Sequence, residues 1–203
     1  MDILTNTWAV YPLPAAFAGR PVELDMGCGK GSFTLALAQR YPERLVLAND
    51  LISERLRILD RKRDRLGVTN LFTFRATSLA LAAYQLPPLS IDRAHLICPD
   101  PWPKKHHLIR RLVCTDFLCR MRRILKPGAV FHLATDYTPY YEDWLRMFAQ
   151  LPTLYQPAPD AIADIADLKS DFERRWNALG QAVHHIAYRA TLLGPRPHTS
   201  LAL

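Results

Sequence analysis

No two cysteines of this 203-residue chain stand at CxxC spacing, and Cys28, Cys98, Cys114 and Cys119 show no other metal-ligand rhythm. A zinc centre and a disulfide framework are therefore excluded as organising devices, and reduced thiols in the cytoplasm are the expectation. No apolar run approaches the roughly 18 residues of a membrane span, and no basic-apolar-small leader pattern opens the sequence. Internal repeats and low-complexity tracts are also missing. Hydrophobic residues at 49% and charged residues at 22% exclude intrinsic disorder and leave one globular domain, residues 1–203, with a sizeable core. Residues 1–20, with Pro12, Pro14 and Gly19, read as an irregular arm.

Acidic residues are scarce where basic ones gather. From Pro99 to Lys126 eight lysines and arginines face only Asp100 and Asp116, and a second basic group runs from Arg55 to Arg65. With a formal net charge of +7, this bunching points to a polyanionic partner, because basic surfaces gain from both field and counterion release at phosphates.

Val22–Met26, Leu45–Ala48, Leu71–Phe74, Ala94–Cys98 and Ala129–Ala134 are short apolar runs that predict strands. Helical patterns follow from Ser32, from Ser53, over Thr115–Leu125 and over Tyr140–Leu151, with Lys126-Pro127-Gly128 as a helix stop and a final strand near Val183–Leu192. The alternation predicts an α/β doubly wound, mostly parallel sheet with helices on both faces. Pro152–Lys169 reads as an inserted loop or short helix able to cover the site, and a proline-containing tail begins at Pro195.

In such a sheet ligands sit beyond the carboxyl ends of the strands, and four of these ends carry Asp25, Asp50, Asp100 and Asp136. Gly27-Cys28-Gly29-Lys30-Gly31 lets a cofactor approach the backbone, and Asp50, about 20 residues on, suits a ribose hydroxyl pair. The G-x-G-x-x-G dinucleotide fingerprint is not met. A carboxylate just before the glycines would repel a pyrophosphate but not a sulfonium with its amino group. Three prolines in Pro99-Asp100-Pro101-Trp102-Pro103 stiffen a loop that presents Asp100 beside Lys104, Lys105, His106 and His107.

This constellation resembles class I S-adenosylmethionine-dependent methyltransferases with a Rossmann-like sheet. Asp-Pro-Trp-Pro-Lys-Lys followed by Arg110-Arg111-Leu112 narrows the resemblance to the bacterial tRNA guanine-N7 methyltransferase family, from about Val22 to Tyr188. The resemblance implies S-adenosylmethionine as cofactor, held by Asp25, Gly27, Gly29, Asp50, Arg75, Ala76 and Asp100, with Asp100 catalytic. It implies substrate contacts from Lys104, Asp136, Ser170, Phe172 and Glu173, the last three in a Thr-x-Phe/Tyr-Glu-like motif. Lys105, His106, Arg110 and Arg111 would lie along the RNA backbone. The partner would be tRNA, with no membrane or metal, and the enzyme a cytoplasmic monomer or homodimer. The chain departs from the family in Asp for Glu at positions 25 and 50, in His106 and Ile109 within the basic loop, and in Arg75-Ala76 where Asp-Ala is usual. Arginine cannot accept from an adenine amino group, so that contact shifts to Thr77, Ser78 or the backbone. Two other readings of the residues stand beside this one: a small-molecule methyltransferase on the same fold, and a non-catalytic RNA-binding relative.

Overall fold

Val22, Leu24 and Met26 alternate with Glu23 and Asp25, so an extended backbone sends apolar side chains to one face and carboxylates to the other. The computed structural model describes residues 2–3 and 9–192 and follows that alternation. Its strands are Asp2–Ile3 (β1), Val22–Met26 (β2), Leu45–Asp50 (β3), Leu71–Arg75 (β4), Ile91–Ile97 (β5), Leu125–Thr135 (β6), Tyr155–Pro157 (β7) and His184–Ala190 (β8). The helices are Ser32–Arg40 (α1), Ser53–Arg65 (α2), Ser78–Ala80 (α3, running into a π turn), Thr115–Ile124 (α4), Thr138–Ala149 (α5) and Asp171–Ala178 (α6).

Among the described residues the strands form one sheet in the order β1-β4-β3-β2-β5-β6-β8-β7. From β1 to β6 all neighbours are parallel, while β8 is antiparallel to both β6 and β7. After β2 the chain moves outward through β3 and β4, then returns to the other side of β2 as β5. This reversal splays the two following loops apart and opens a crevice at the carboxyl ends of β2 and β5.

The two faces are packed differently. Leu24, Met26, Leu47, Phe74, Phe131 and Leu133 meet α4 and α5 through buried Phe117, Met121, Trp144 and Phe148. On the other face Val46, Ala48 and Leu71 meet α1 and α2 through Phe33, Leu37 and Leu59. There β2 and β5 contribute a polar layer instead of an apolar one. Glu23, 1% exposed, accepts from Arg93 Nε at 2.9 Å, lies 2.9 Å from His95 Nε2, and pairs with Arg44.

This layer explains why β5 begins at Ile91 rather than Ala94. Asp92 accepts from the Val22 N–H at 2.8 Å and from Lys126 at 2.7 Å, and Arg93 is paired to Glu23, so charged residues sit inside a strand. α4 ends at Ile124, just ahead of Lys126-Pro127-Gly128, and these three residues lie in the half-buried to exposed opening of β6. The arm joins the structure, β1 pairing with β4 and the Tyr11 ring lying 5.0 Å from Phe74. The segment 152–169 forms β7 and a 3-10 helix, Pro159–Ile165, pinned by Asp164 on Arg93 and Asp167 on Arg40, rather than a cover over the crevice. The predicted tail lies outside the described residues.

Burial alone would raise the Glu23 carboxyl, but the hydrogen bonds and charges of His95 and Arg93 outweigh it and hold it at about 2, against an ordinary 4.5. A depressed carboxylate stabilises the fold fully above pH 4.5, and that contribution, about 3 kcal/mol, is lost as pH falls from 4.5 through about 2. Urea unfolding across this range should show the loss. Glu23→Gln should remove that acid dependence and lower stability at neutral pH by roughly 3–5 kcal/mol, the cost of stranding buried Arg93.

Candidate cofactor and substrate cleft

The glycine turn after β2 needs its glycines for two different reasons. Gly27 and Gly29 have φ of 71° and 57°, and no heavy atom lies within 4 Å of where a Cβ would stand, so both leave an open cradle. At Gly31, φ 76°, a Cβ would overlap the buried Leu59 side chain, so this glycine serves the packing of α1 against α2.

Asp50 closes the turn from β3. Its carboxylate accepts from the Gly29 N–H at 3.1 Å and the Ile52 N–H at 2.8 Å, with Arg55 at 3.4 Å. One side chain thus ties the glycine turn to the start of α2. Asp25, 3% exposed, accepts from the Thr34 hydroxyl, and burial pushes its carboxyl up. Burial, with the charges of Asp25 and Asp50, also drives the Cys28 thiol well up, so it stays protonated at neutral pH.

The Pro-Trp-Pro loop leaves β5 with strained backbone, Cys98 at φ 50° and Trp102 at φ 41°. Arg111 holds it in place: its Nε donates to the Pro101 carbonyl at 2.8 Å, it pairs with Asp143, and its guanidinium lies 4.6 Å from the Tyr140 ring centre. Arg111 is therefore a loop anchor and not an open phosphate contact. Trp102 is covered within its own loop by Arg110 at 5.1 Å and by the His107 ring edge at 5.5 Å. Asp100, Lys104, Lys105, His106 and Arg110 remain exposed, the last three on a short 3-10 helix, Lys105–Arg110.

Two adjoining cavities form the cleft. One of about 640 Å³ gathers Asp50, Ala76, Asp100 and Asp136 from four strand ends, with Trp102 and Arg110 at the loop. The other, about 350 Å³, holds Asp25, Gly29, Ser170 and Asp171. Gly27, Arg55 and Phe172 line both.

Of the expected site residues, Lys104, Lys105, His106 and Arg111 belong to the loop and line neither cavity, and Arg75 and Glu173 are placed elsewhere. Arg75 is exposed, donates from Nε to the Leu51 carbonyl at 3.1 Å and does not line the cavities; Ala76, Thr77 and Ser78 supply that wall. Glu173 is 1% exposed and fully engaged internally. It completes a capping box with Ser170 at the start of α6, while its other oxygen meets His185 at 3.0 Å and Lys169 at 2.7 Å. The late Ser-x-Phe-Glu motif is thus a helix start whose Ser170 and Phe172 line the cleft and whose glutamate holds the helix down. Arg55, Asn49 and Trp176 were not singled out as site residues but line the larger cavity. Asn49 is buried, donating to the Ala76 carbonyl at 3.0 Å; its place just before Asp50 was the available signal.

A Gly-rich turn and a strand-end acid on either side of the switch point of a doubly wound sheet define a Rossmann-like methyltransferase. The sequence pattern of a protein family described as "Putative methyltransferase" matches residues 19–186. A tRNA (guanine-N(7)-)-methyltransferase of Paracidovorax citrulli is 34% identical over 190 residues, covering 92% of this chain and 76% of that protein. One from Streptomyces avermitilis is 36% identical over 139 residues, 68% of this chain but 48% of the relative, so this match spans about half of that protein. The chain belongs to the bacterial tRNA (guanine-N7-)-methyltransferase family. Among solved structures, the 16S rRNA methyltransferase KamB shares the fold with a TM-score of 0.63 at 21% identity, over 90% of this chain and 98% of that one.

The packing role of Gly31 predicts that Gly31→Ala lowers stability by roughly 2–4 kcal/mol through overpacking and left-handed backbone strain. Thermal unfolding in the absence of ligand checks this.

Proposed function

We propose that this protein transfers the methyl group of S-adenosylmethionine to N7 of a guanine in tRNA, in the variable loop by family resemblance. The observation that carries the reading is the convergence of Asp50, Asp100 and Asp136 on one cavity beneath an exposed basic loop. The residues fit the cofactor. Gly27 and Gly29 leave room against the backbone, Asp50 suits ribose hydroxyls, Asp25 suits an amino group, and the Ala76–Ser78 wall takes the place of the adenine-reading acid. When bound, the cofactor supplies an electrophilic sulfonium methyl.

Guanine N7 carries a lone pair and no proton, so the chain need not remove one before attack. Its work is to position and desolvate, which for well-oriented reactants supplies up to roughly 7–11 kcal/mol. Asp100 accepts from the guanine N1–H and amino group and opposes the positive charge that grows on the ring. Asp136, half-buried at the next strand end, offers a second acceptor to the base edge. Lys104, Lys105 and Arg110 neutralise phosphates and fix register without reading bases. A tRNA substrate accords with a cytoplasmic enzyme.

Incubation of unmodified tRNA with the protein and methyl-labelled S-adenosylmethionine, followed by mapping of the label, tests the reading; label absent from guanine N7 overturns it. Asp100→Asn should lower single-turnover rate roughly 10²–10³-fold while the wild-type rate stays flat from about pH 6.5 to 8.5. A rise with pH that is abolished in Asp100→Asn would instead make Asp100 a general base. Lys104→Ala combined with Arg110→Ala should flatten the slope of log tRNA affinity against log salt by up to about 2 units and spare cofactor binding.

A further inference from the structure

On the α1 face of the sheet, side chains two residues apart share a side, and the strand register lines up four strands' worth of polar residues. Glu23 and Asp25 of β2 stand opposite Arg93 and His95 of β5; His95 stands opposite His132 of β6; and His132 and His185 of β8 lie diagonally across the next pair. Their atoms form one unbroken chain. Glu23 Oε2 lies 2.9 Å from His95 Nε2, His95 Nδ1 lies 3.0 Å from His132 Nδ1, His132 Nε2 lies 2.9 Å from His185 Nδ1, and His185 Nε2 lies 3.0 Å from Glu173 Oε1.

Proton counting constrains this chain. Its four hydrogen bonds need four protons, one in each gap. Both ends are ionised carboxylates that only accept: Glu23 is held at about 2, and Glu173 is held low by His185 and Lys169 against the opposing effect of burial. Three neutral imidazoles carry three protons between them, so a fully bonded chain holds one more. Burial keeps His132 neutral, reinforced by the charges of its neighbours. It therefore accepts from one side and donates to the other, which leaves either His95 or His185 to donate from both ring nitrogens, one of them toward a carboxylate.

The far end of the chain is α6. Glu173 is the buried residue of that eight-residue helix, so polar contacts rather than an apolar face dock it on the sheet. Phe172 and Asp171, beside Glu173, line the cleft, and Asp171 also accepts from Ser32 Oγ at the start of α1 at 2.7 Å. We propose that His95, His132 and His185 act as one positioning unit that holds a single extra proton and, through Glu173, sets α6 against the cleft. The proposal rests on reading that cleft as the cofactor and substrate site. The charged and titratable groups facing the unit are Glu23 and Asp25 from β2, Arg44 before β3, Arg93 from β5, Cys98 after it, Asp164 from the 3-10 helix, and Lys169 before α6.

Two measurements test it. In the full-length protein with ¹⁵N-labelled histidine, long-range ¹H–¹⁵N spectra near neutral pH should show four ring N–H protons on these three residues, with His132 neutral. Three neutral rings would overturn the proton count. His185→Gln keeps a donor for Glu173 but cannot hold a charge, and His185→Leu removes both. His185→Leu should weaken S-adenosylmethionine binding about tenfold, the equivalent of one hydrogen bond to a charged group, and His185→Gln should recover part of it. Wild-type cofactor affinity should fall on the alkaline side, where the unit gives up its extra proton, and the His185→Gln profile should be flat there. Wild-type affinity and pH profile in both variants would overturn the positioning role, whatever the spectra show. Failure of the wild type to bind cofactor would overturn the reading of the cleft and the positioning role with it, while the spectra alone decide the proton count.

Discussion

The buried carboxylate of Glu23 is the tie on which the cleft depends. It sits on β2, the strand from which the sheet winds in both directions, and it draws Arg93 and His95 of β5 and Arg44 of the β3 approach onto one point. The loops that build the cleft leave the ends of those same strands. Removing such charges from water is costly, and the cost is offset only when their hydrogen bonds are nearly complete. Glu23 meets that condition through Arg93, His95 and Arg44, and Arg93 extends the network to Asp164 on the segment after β7.

A rigid floor allows the cleft itself to be made of loops. The glycine turn, the Asp50 corner and the Pro-Trp-Pro loop bury little apolar surface of their own, and each is fixed by a few directed contacts: Asp50 on the Gly29 N–H and the Ile52 N–H, and Arg111 on the Pro101 carbonyl. Preorganisation of this kind suits a reaction in which no proton is abstracted and geometry carries the catalysis. The same contacts separate the charged residues by role. Arg111 and Glu173 hold loops and helices, whereas Asp100, Lys104, Lys105 and Arg110 are exposed and Asp136 is half-buried in the wall of the larger cavity.

Much of this was legible in the residue order because it depends on local physics. Gly27 and Gly29 mark a turn that other residues rarely adopt, the apolar runs mark buried parallel strands, and the prolines around Asp100 mark a stiff loop. The residue order makes strand β5 too short, because Asp92 and Arg93 look like an end to an apolar run until their partners are known. Those partners, Val22, Lys126 and Glu23, lie on other elements. Segment 152–169 looked like a free insertion for the same reason: its anchors, Arg40 and Arg93, are far away in the chain.

The sequence by itself determined the alternation of the central strands and helices, the acids at the strand ends and the family, since spacing, turn chemistry and a specific motif are properties of neighbours along the chain. Only the tertiary structure decided which charges are free. Arg111 and Arg110, or Glu173 and Asp136, are alike as residue types, and what separates them is whether partners from other elements have already engaged their charges. That depends on register and packing between strands that the chain joins only after many intervening residues.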